Sequence, residues 1–123
     1  MAQFLWVGVG GFFGAVVRYL VSGWAQRWMI GSFPLGTLVV NVAGCFALGA
    51  LMAWLDRGWL SPAMRQLLAV GFLGALTTFS TFGYETFDLL RGGEAGLALL
   101  SVAANLLVGL LAVWLGLVVV EGF

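Results

Sequence analysis

The fold of this chain is decided by the stretch Gly71-Phe72-Leu73-Gly74-Ala75-Leu76-Thr77-Thr78-Phe79-Ser80-Thr81-Phe82. It lies in an apolar run long enough to cross a bilayer, yet residues 77–82 include four hydroxyl side chains and two aromatic rings. Threonine and serine weaken a helix, because β-branching and hydroxyl groups compete with the regular backbone pattern. Since Gly71, Gly74 and Gly83 bracket these residues with permissive backbone, the pattern predicts a broken helix near the bilayer midplane.

A helix break at this depth indicates a site. Irregular backbone within a membrane is tolerated only where it is buried in protein or lines a cavity, and carbonyls freed by the break can coordinate a cation. Phe79 and Phe82 are three residues apart, on one face if the segment beyond the break is helical. Because aromatic rings carry a positive edge, two ring edges could contact a small anion without preventing its release. The alternative is that both rings only pack against other helices.

The rest of the chain predicts an all-α integral membrane protein. Of its 123 residues, 63% are hydrophobic and only 8% are charged, whereas about a quarter of the residues in soluble domains are charged. Apolar runs predict one domain, 1–123, with four membrane-spanning helices at about 3–26, 34–55, 63–90 and 95–119. Pro34 and Pro62 lie at predicted helix starts, where proline is tolerated, and Ser61 is the predicted N-cap before Pro62.

The arginine residues give the four helices no clear orientation. Arginine in short loops normally faces the cytoplasm, but Arg57 and Arg65 lie on the side of the termini, and Arg27 and Arg91 lie on the opposite side. Two interpretations stay open. Either Arg18 within the first span or an unseen partner decides the orientation, or the protein inserts in both orientations and pairs antiparallel with itself.

Polar and small residues form stripes on the second and fourth predicted helices. The stripes follow a spacing of four residues, which places side chains on one helix face: Thr37, Asn41, Cys45 and Gly49, and then Ser101, Asn105 and Gly109. Helix packing explains such stripes, because small residues allow close approach and asparagine makes interhelical hydrogen bonds. An asparagine amide can also donate two hydrogen bonds to an anion, and two facing stripes would form a polar track.

Charged residues near the membrane interior are few. Arg18 is the one cation well inside a predicted span, while Glu85 and Asp88 lie near the end of the third span. An arginine at such depth extends to the interface, pairs with a carboxylate or raises the local concentration of anions. We therefore expect Arg18 and Glu85 to have a structural or electrostatic role at a pore mouth.

The composition argues against several classes of protein. The chain has no histidine, no nucleophile beside a base, and no GxGxxG or Walker pattern, so we expect no enzyme activity. A net charge of zero argues against binding of nucleic acid. Cys45 is the single cysteine, which excludes an intramolecular disulfide and a cysteine-based zinc site within one chain. Passive transport fits these features better than chemical transformation.

Three blocks of sequence carry a resemblance to a known family. They are Gly10-Gly11 through Gly14-Ala15 with Arg18, then 34–41, then 71–82 followed by Glu85. With these blocks, the chain resembles the fluoride ion channels of the CrcB/Fluc family, found mainly in bacteria. The resemblance implies an antiparallel, dual-topology dimer with two fluoride pathways in the plasma membrane of a bacterium, the inner membrane if the cell has two. The balanced arginine count fits such a dimer.

The resemblance also implies roles for individual residues. Asn41 would donate hydrogen bonds to fluoride, and Phe79 and Phe82 would supply ring edges. The backbone carbonyls of Gly74 and Thr77, from both subunits, would hold a central sodium ion that is structural and is not transported. The implied polar lining consists of Thr37, Ser80, Thr81, Ser101 and Asn105.

The chain departs from the family pattern at four positions. Ala75 stands where the family often has a second glycine, and Gly83 stands where it often has a serine. Gly109 and Val113 replace hydroxyl residues one and two turns after Asn105, so the outer part of the polar track is thinner. The partner is then either an identical chain or a homologous subunit, since both arrangements occur in the family.

The expected function is passive, selective fluoride export that confers fluoride resistance. Neutral hydrogen fluoride enters from an acidic medium and dissociates in the cytoplasm, and a channel lets the trapped anion leave without ATP. Donors and ring edges in a narrow path would replace the hydration shell of a small anion better than that of chloride. The alternatives are a proton-coupled multidrug exporter, which needs a carboxylate that the first span lacks, and a membrane scaffold whose polar stripes dock partners.

Overall fold

The computed structural model describes residues 1–122, and Phe123, the last residue of the predicted domain, lies outside the described residues. Within residues 1–122 the chain is helical and contains no strand. The helices are α1 (Ala2–Gln26), α2 (Leu35–Asp56), α3 (62–76), α4 (Phe79–Arg91) and α5 (Ala95–Glu121). Two of them include π-helical segments, Arg65–Leu73 in α3 and Ala104–Val108 in α5.

Four spans of this chain are long and apolar enough to cross a membrane, as the sequence predicts. They are α1, α2, the pair α3 and α4 taken together, and α5. The predicted bounds agree with these spans to within two residues at each end. The predicted N-cap is confirmed, because the Ser61 side chain accepts a hydrogen bond of 3.3 Å from the Met64 N–H, with Pro62 at the first helical position.

Glycine residues bring α1 against the π-helical part of α3. A Cβ atom at Gly10 would overlap the carbonyl oxygen of Leu67, and one at Gly14 would overlap that of Phe72. The two backbones therefore touch directly, as they do in membrane helix pairs with small residues at the interface. This contact holds the π-helical part of α3 in place before the chain reaches residues 77–82.

A second pair of glycines brings α2 against the last part of α5. A Cβ at Gly49 would overlap the Val113 carbonyl oxygen, and one at Gly116 would overlap the Phe46 carbonyl oxygen. Close backbone approach on this scale gains packing contacts that replace the missing hydrophobic driving force between helices in lipid. The α2 helix is thus held between α5 on one side and the α1–α3 pair on the other.

The outer surface of the bundle is apolar, and its small core lies between α2 and α3. The buried cluster consists of Val40, Leu51, Leu73 and Leu76. In contrast, large apolar side chains such as Phe4, Phe12 and Leu20 of α1 are exposed. An apolar exterior on four spanning helices is the arrangement that lipid chains solvate. The chain is a multi-pass membrane protein.

The Gly14 contact generates a prediction about stability. We expect Gly14→Ala to lower the free energy of unfolding by about 1–3 kcal/mol, because the added methyl group meets the Phe72 backbone and cannot move aside. Gly8→Ala on the same helix is the matched control, since no atom lies within 4 Å of its Cβ position. Chemical unfolding of both variants in detergent measures the difference. Equal stability of the two variants would contradict the close packing of α1 on α3.

Candidate functional site

Two residues with extended backbone, Thr77 and Thr78, separate α3 from α4. Thr77 has φ −82° and ψ 153°, and Thr78 has φ −149° and ψ 115°. The amide of Asn41 pairs with both backbone groups of Thr78. Its Oδ1 accepts from the Thr78 N–H at 2.8 Å, and its Nδ2 donates to the Thr78 carbonyl at 3.2 Å. Asn41 thus supplies the partners that a neighbouring strand would give an extended residue.

The side chain of Thr78 begins α4. Its Oγ1 accepts a hydrogen bond of 3.2 Å from the Thr81 N–H, and this is the N-cap geometry. The same Oγ1 donates to Thr81 Oγ1 at 3.0 Å and lies 3.4 Å from Ser80 Oγ. A cluster of three hydroxyl groups therefore surrounds the start of α4.

These bonds take away the N–H partners of two backbone carbonyls. In a regular helix the Thr78 N–H would donate to the carbonyl of Gly74, and the Thr81 N–H would donate to that of Thr77. Here the first donates to Asn41 Oδ1 and the second to Thr78 Oγ1. Gly74 and Thr77 are the residues to which the sequence resemblance assigns the sodium ligands.

Asn41, Phe79, Phe82 and Asn105 line one cavity of about 300 Å³, which we call the central cavity. The two rings lie 5.5 Å apart between centroids, with 60° between their planes. Phe82 is buried, with 8% of its surface exposed, whereas Phe79 is 80% exposed. The rings therefore form one wall of the cavity, and Phe79 presents its outer face to the surroundings of the chain.

Asn105 reaches the central cavity from the π-helical segment of α5. Its Oδ1 accepts from Asn41 Nδ2 at 2.9 Å, and its Nδ2 donates to the Ser101 carbonyl at 2.9 Å. Ser101 itself is fully buried, and its hydroxyl has no hydrogen-bond partner within the described part of the chain. Of the polar residues in the predicted stripe on this helix, Asn105 lines the central cavity and Ser101 does not.

Beyond Asn105, α5 is used for packing. The Cβ position of Gly109 is 3.6 Å from the sulfur atom of Cys45, and the Val113 carbonyl meets Gly49. Both positions, which lack the hydroxyl groups common in the family, therefore lie at the contact between α2 and α5.

A larger cavity of about 720 Å³, the vestibule, opens at the other end of α4. Thr37, Thr81 and Glu85 are among its lining residues. Thr37 Oγ1 donates to Glu85 Oε1 at 2.9 Å, while Glu85 Oε2 is buried without a partner among residues 1–122. Farther out, Asp88 and Arg91 form an exposed ion pair of 3.9 Å. Thr37 and Thr81 of the predicted polar lining thus share the vestibule with the predicted pore-mouth residue Glu85.

Arg18 lies on a third cavity of about 200 Å³, the arginine cavity, which adjoins the other two. Thr37 and Thr81 line both this cavity and the vestibule, and Thr78 lines both this cavity and the central cavity. Three threonine residues, together with Ser22 between the vestibule and the arginine cavity, are therefore shared by the linings of three successive cavities. Ser80 is exposed and lines none of the three.

Two residues at the site were missed by sequence reasoning. Thr78 pairs with Asn41, is the N-cap of α4 and lines two cavities. Only its place in the hydroxyl-rich run pointed to it. Gln26 accepts from the Gly36 N–H and donates to the Phe33 carbonyl, each at 3.0 Å, and so holds the start of α2 beside the vestibule. No sequence signal marks Gln26, because its partners, in the loop after α1 and in the first turn of α2, approach it only once the chain has turned back.

Comparison with known proteins identifies the family. Residues 5–117 match the family described as CrcB-like protein, Camphor Resistance. A relative from Acidobacterium capsulatum, named fluoride-specific ion channel FluC, is 47% identical over 118 residues, which cover 95% of this chain and 94% of the relative. One of the same name from Hydrogenovibrio crunogenus is 47% identical over 94% of this chain and 88% of its own length. A third, FluC 1 from Methanosarcina acetivorans, is 46% identical over 94% of this chain and 88% of its own length.

The match extends from α1 almost to the end of α5, and it includes every residue that lines the central cavity. The resemblance drawn from the sequence blocks is therefore confirmed, and this chain belongs to the CrcB-like protein family.

Proposed function

We propose that this chain forms a passive, selective fluoride channel that exports fluoride from the cytoplasm and confers fluoride resistance. Membership in a family whose relatives are named fluoride-specific ion channels supports a channel and not an enzyme. The proton-coupled exporter and the scaffold have no such support. The observation that carries the proposal is the succession of three cavities with shared threonine residues in their linings, from the vestibule to the cavity of Asn41 and the two phenylalanine rings.

The lining groups suit a small anion. Fluoride must exchange its water shell for other donors, and the route offers threonine hydroxyl groups and the Asn41 amide, which would leave their present acceptors to reach the ion. At the central cavity the edges of Phe79 and Phe82 add weak positive potential. The described lining of this cavity contains no charged residue. Binding there stays weak enough for the ion to leave, as conduction requires.

Charge acts at a distance from the central cavity. Arg18 lies on the arginine cavity, beside the Thr78 and Thr81 walls, where its positive charge raises the local concentration of anions. At the vestibule, Oε1 of Glu85 accepts a hydrogen bond from the Thr37 hydroxyl group. We assign Arg18 and Glu85 electrostatic roles at the entrance, in keeping with the prediction from sequence.

We further propose that two copies pair antiparallel over the face that carries Phe79. The Phe79 ring is 80% exposed, yet it belongs to the wall of a cavity that contains two asparagine amides. A polar cavity open to lipid is unfavourable, so a second copy that covers it has a clear energetic basis. The balanced arginine count supports insertion in both orientations. Such a dimer has two equivalent pathways, and a homologous subunit could take the place of the second copy.

We also propose a structural sodium ion at the break between α3 and α4. Carbonyl oxygens of unwound membrane helices are suitable ligands for sodium, and the carbonyls of Gly74 and Thr77 have lost the helical N–H partners. One chain supplies two such oxygens and its partner would supply two more. When bound, the ion would hold the two interrupted segments together at the dimer centre, and it would not be transported.

Fluoride release from liposomes that contain only this chain tests the channel. We expect fluoride to leave and chloride to be retained, with Phe82→Ile slowing release about tenfold, which corresponds to about 1.4 kcal/mol. Phe87→Ile is the matched control on α4, since its exposed ring lines none of the three cavities. Chloride release as fast as fluoride release, or equal losses in both variants, would exclude the proposed pathway.

Labelling of intact bacterial cells tests dual topology. In a Cys45→Ser background, Ala2→Cys places one thiol at the exposed amino terminus. We expect a membrane-impermeant reagent to label about half of the molecules, because the arginine count favours neither orientation. Adding Asp56→Arg should lower the labelled fraction, since it places a third arginine on the side of the termini. Complete labelling, or none, before that change would refute dual topology in the bacterial plasma membrane.

The sodium proposal predicts a stability that depends on the cation. At constant ionic strength, we expect the thermal unfolding midpoint of the purified protein to rise with sodium concentration, because a ligand that binds only the folded dimer stabilises it. N-methyl-D-glucamine replaces sodium in the control buffer, since it is too large for a site made of four carbonyls. The same midpoint in both buffers would count against a structural sodium ion.

A further inference from the structure

Both N–H groups of the Asn41 amide are already engaged by the protein. One donates to the Thr78 carbonyl and the other to Asn105 Oδ1. The orientation of the amide is fixed, because Oδ1 must face the Thr78 N–H that donates to it. A fluoride ion in the central cavity therefore finds no unused donor on Asn41 and has to replace one of these two acceptors.

The two acceptors are not equally replaceable. The pairing of Asn41 with Thr78 uses two hydrogen bonds, at 2.8 and 3.2 Å, to the backbone that begins α4 and cannot swing aside. Breaking it would leave the N–H of a buried residue unpaired, which is costly. Asn105 Oδ1 is a side-chain acceptor on the cavity wall, and its own amide nitrogen stays anchored to the Ser101 carbonyl at 2.9 Å. Fluoride therefore exchanges with Asn105 Oδ1.

We propose that Asn105 is a positioning residue that acts through Asn41, because its side-chain oxygen competes with fluoride for one Asn41 N–H. This inference rests on the proposed fluoride channel. With the cavity empty, Asn105 keeps the donor satisfied, so no buried polar group is left without a partner. With fluoride bound, the ion has replaced Asn105 Oδ1 as the acceptor, so the net gain in binding free energy is smaller than it would be at a free donor. Asn105 thereby lowers fluoride affinity and speeds release, as conduction requires.

The decisive variant is Asn105→Leu, which removes the acceptor with little change in volume. We expect the fluoride concentration that gives half-maximal conductance in planar bilayers to fall about fivefold, which corresponds to one hydrogen bond of about 1 kcal/mol. Maximal conductance should fall as well, because release becomes slower. A purely structural role of Asn105 predicts weaker binding or misfolding, and not tighter binding.

Two further variants keep the inference open to refutation. Asn105→Ala also removes the acceptor and serves if the leucine variant does not fold, with the same direction of change expected. Asn105→Asp keeps an acceptor of the same size and adds negative charge, so its half-saturation concentration should rise. Leu107→Ala on the exposed face of α5 is the control for local packing and should leave half-saturation unchanged.

The outcomes separate this inference from the channel proposal. If the unmodified chain passes no fluoride, the proposed function fails and the inference fails with it. If the unmodified chain conducts fluoride but folded Asn105→Leu and Asn105→Ala leave half-saturation unchanged or raise it, the competing role of Asn105 is refuted and the channel stands.

Discussion

The pairing of Asn41 with the backbone of Thr78 is the interaction on which the rest of this structure depends. An extended residue within a membrane carries an N–H that neither water nor a helix can satisfy. The Asn41 amide of α2 accepts from the Thr78 N–H and also donates to the Thr78 carbonyl. Because Thr78 is held in this way, its hydroxyl is placed to begin α4, and the Gly74 carbonyl loses its helical donor. The central cavity, the start of α4 and the two freed carbonyls all follow from this pairing.

Glycine contacts make that pairing geometrically possible. Gly44 lies one turn after Asn41 on α2, and a Cβ atom there would overlap the Thr77 methyl group. The α2 backbone therefore approaches residues 77 and 78 closely enough for the short Asn41 side chain to span the gap. On the far side of α3, Gly10 and Gly14 let α1 pack against Leu67 and Phe72, in the helix that leads into residues 77 and 78. Hydrogen bonding and packing thus depend on one another, since neither alone would fix extended backbone between two helices.

Apolar runs were enough to predict the four spans, because the thickness of the bilayer sets the length of a spanning helix. Charged and turn residues interrupt the apolar sequence between one span and the next. Other features depend on contacts between residues far apart in sequence. The hydroxyl-rich run indicated irregular backbone but not that Thr78 would be its centre, since that choice depends on a partner in α2. The spacing of Ser101 and Asn105 suggested one face, but the π-helical segment beginning at Ala104 alters the register on which such spacing rests. Gln26 gave no signal, because it contacts loop backbone.

The threonine walls between neighbouring cavities have a consequence for how many ions the route can hold. A hydroxyl group has one proton, so it can turn toward an anion on only one side of the wall at a time. Thr78 stands between the central and arginine cavities, and Thr37 and Thr81 stand between the arginine cavity and the vestibule. Anions in adjacent cavities would have to share one donor while repelling each other. In the proposed channel, fluoride ions would therefore pass one after another, each moving only into a cavity that holds no other anion.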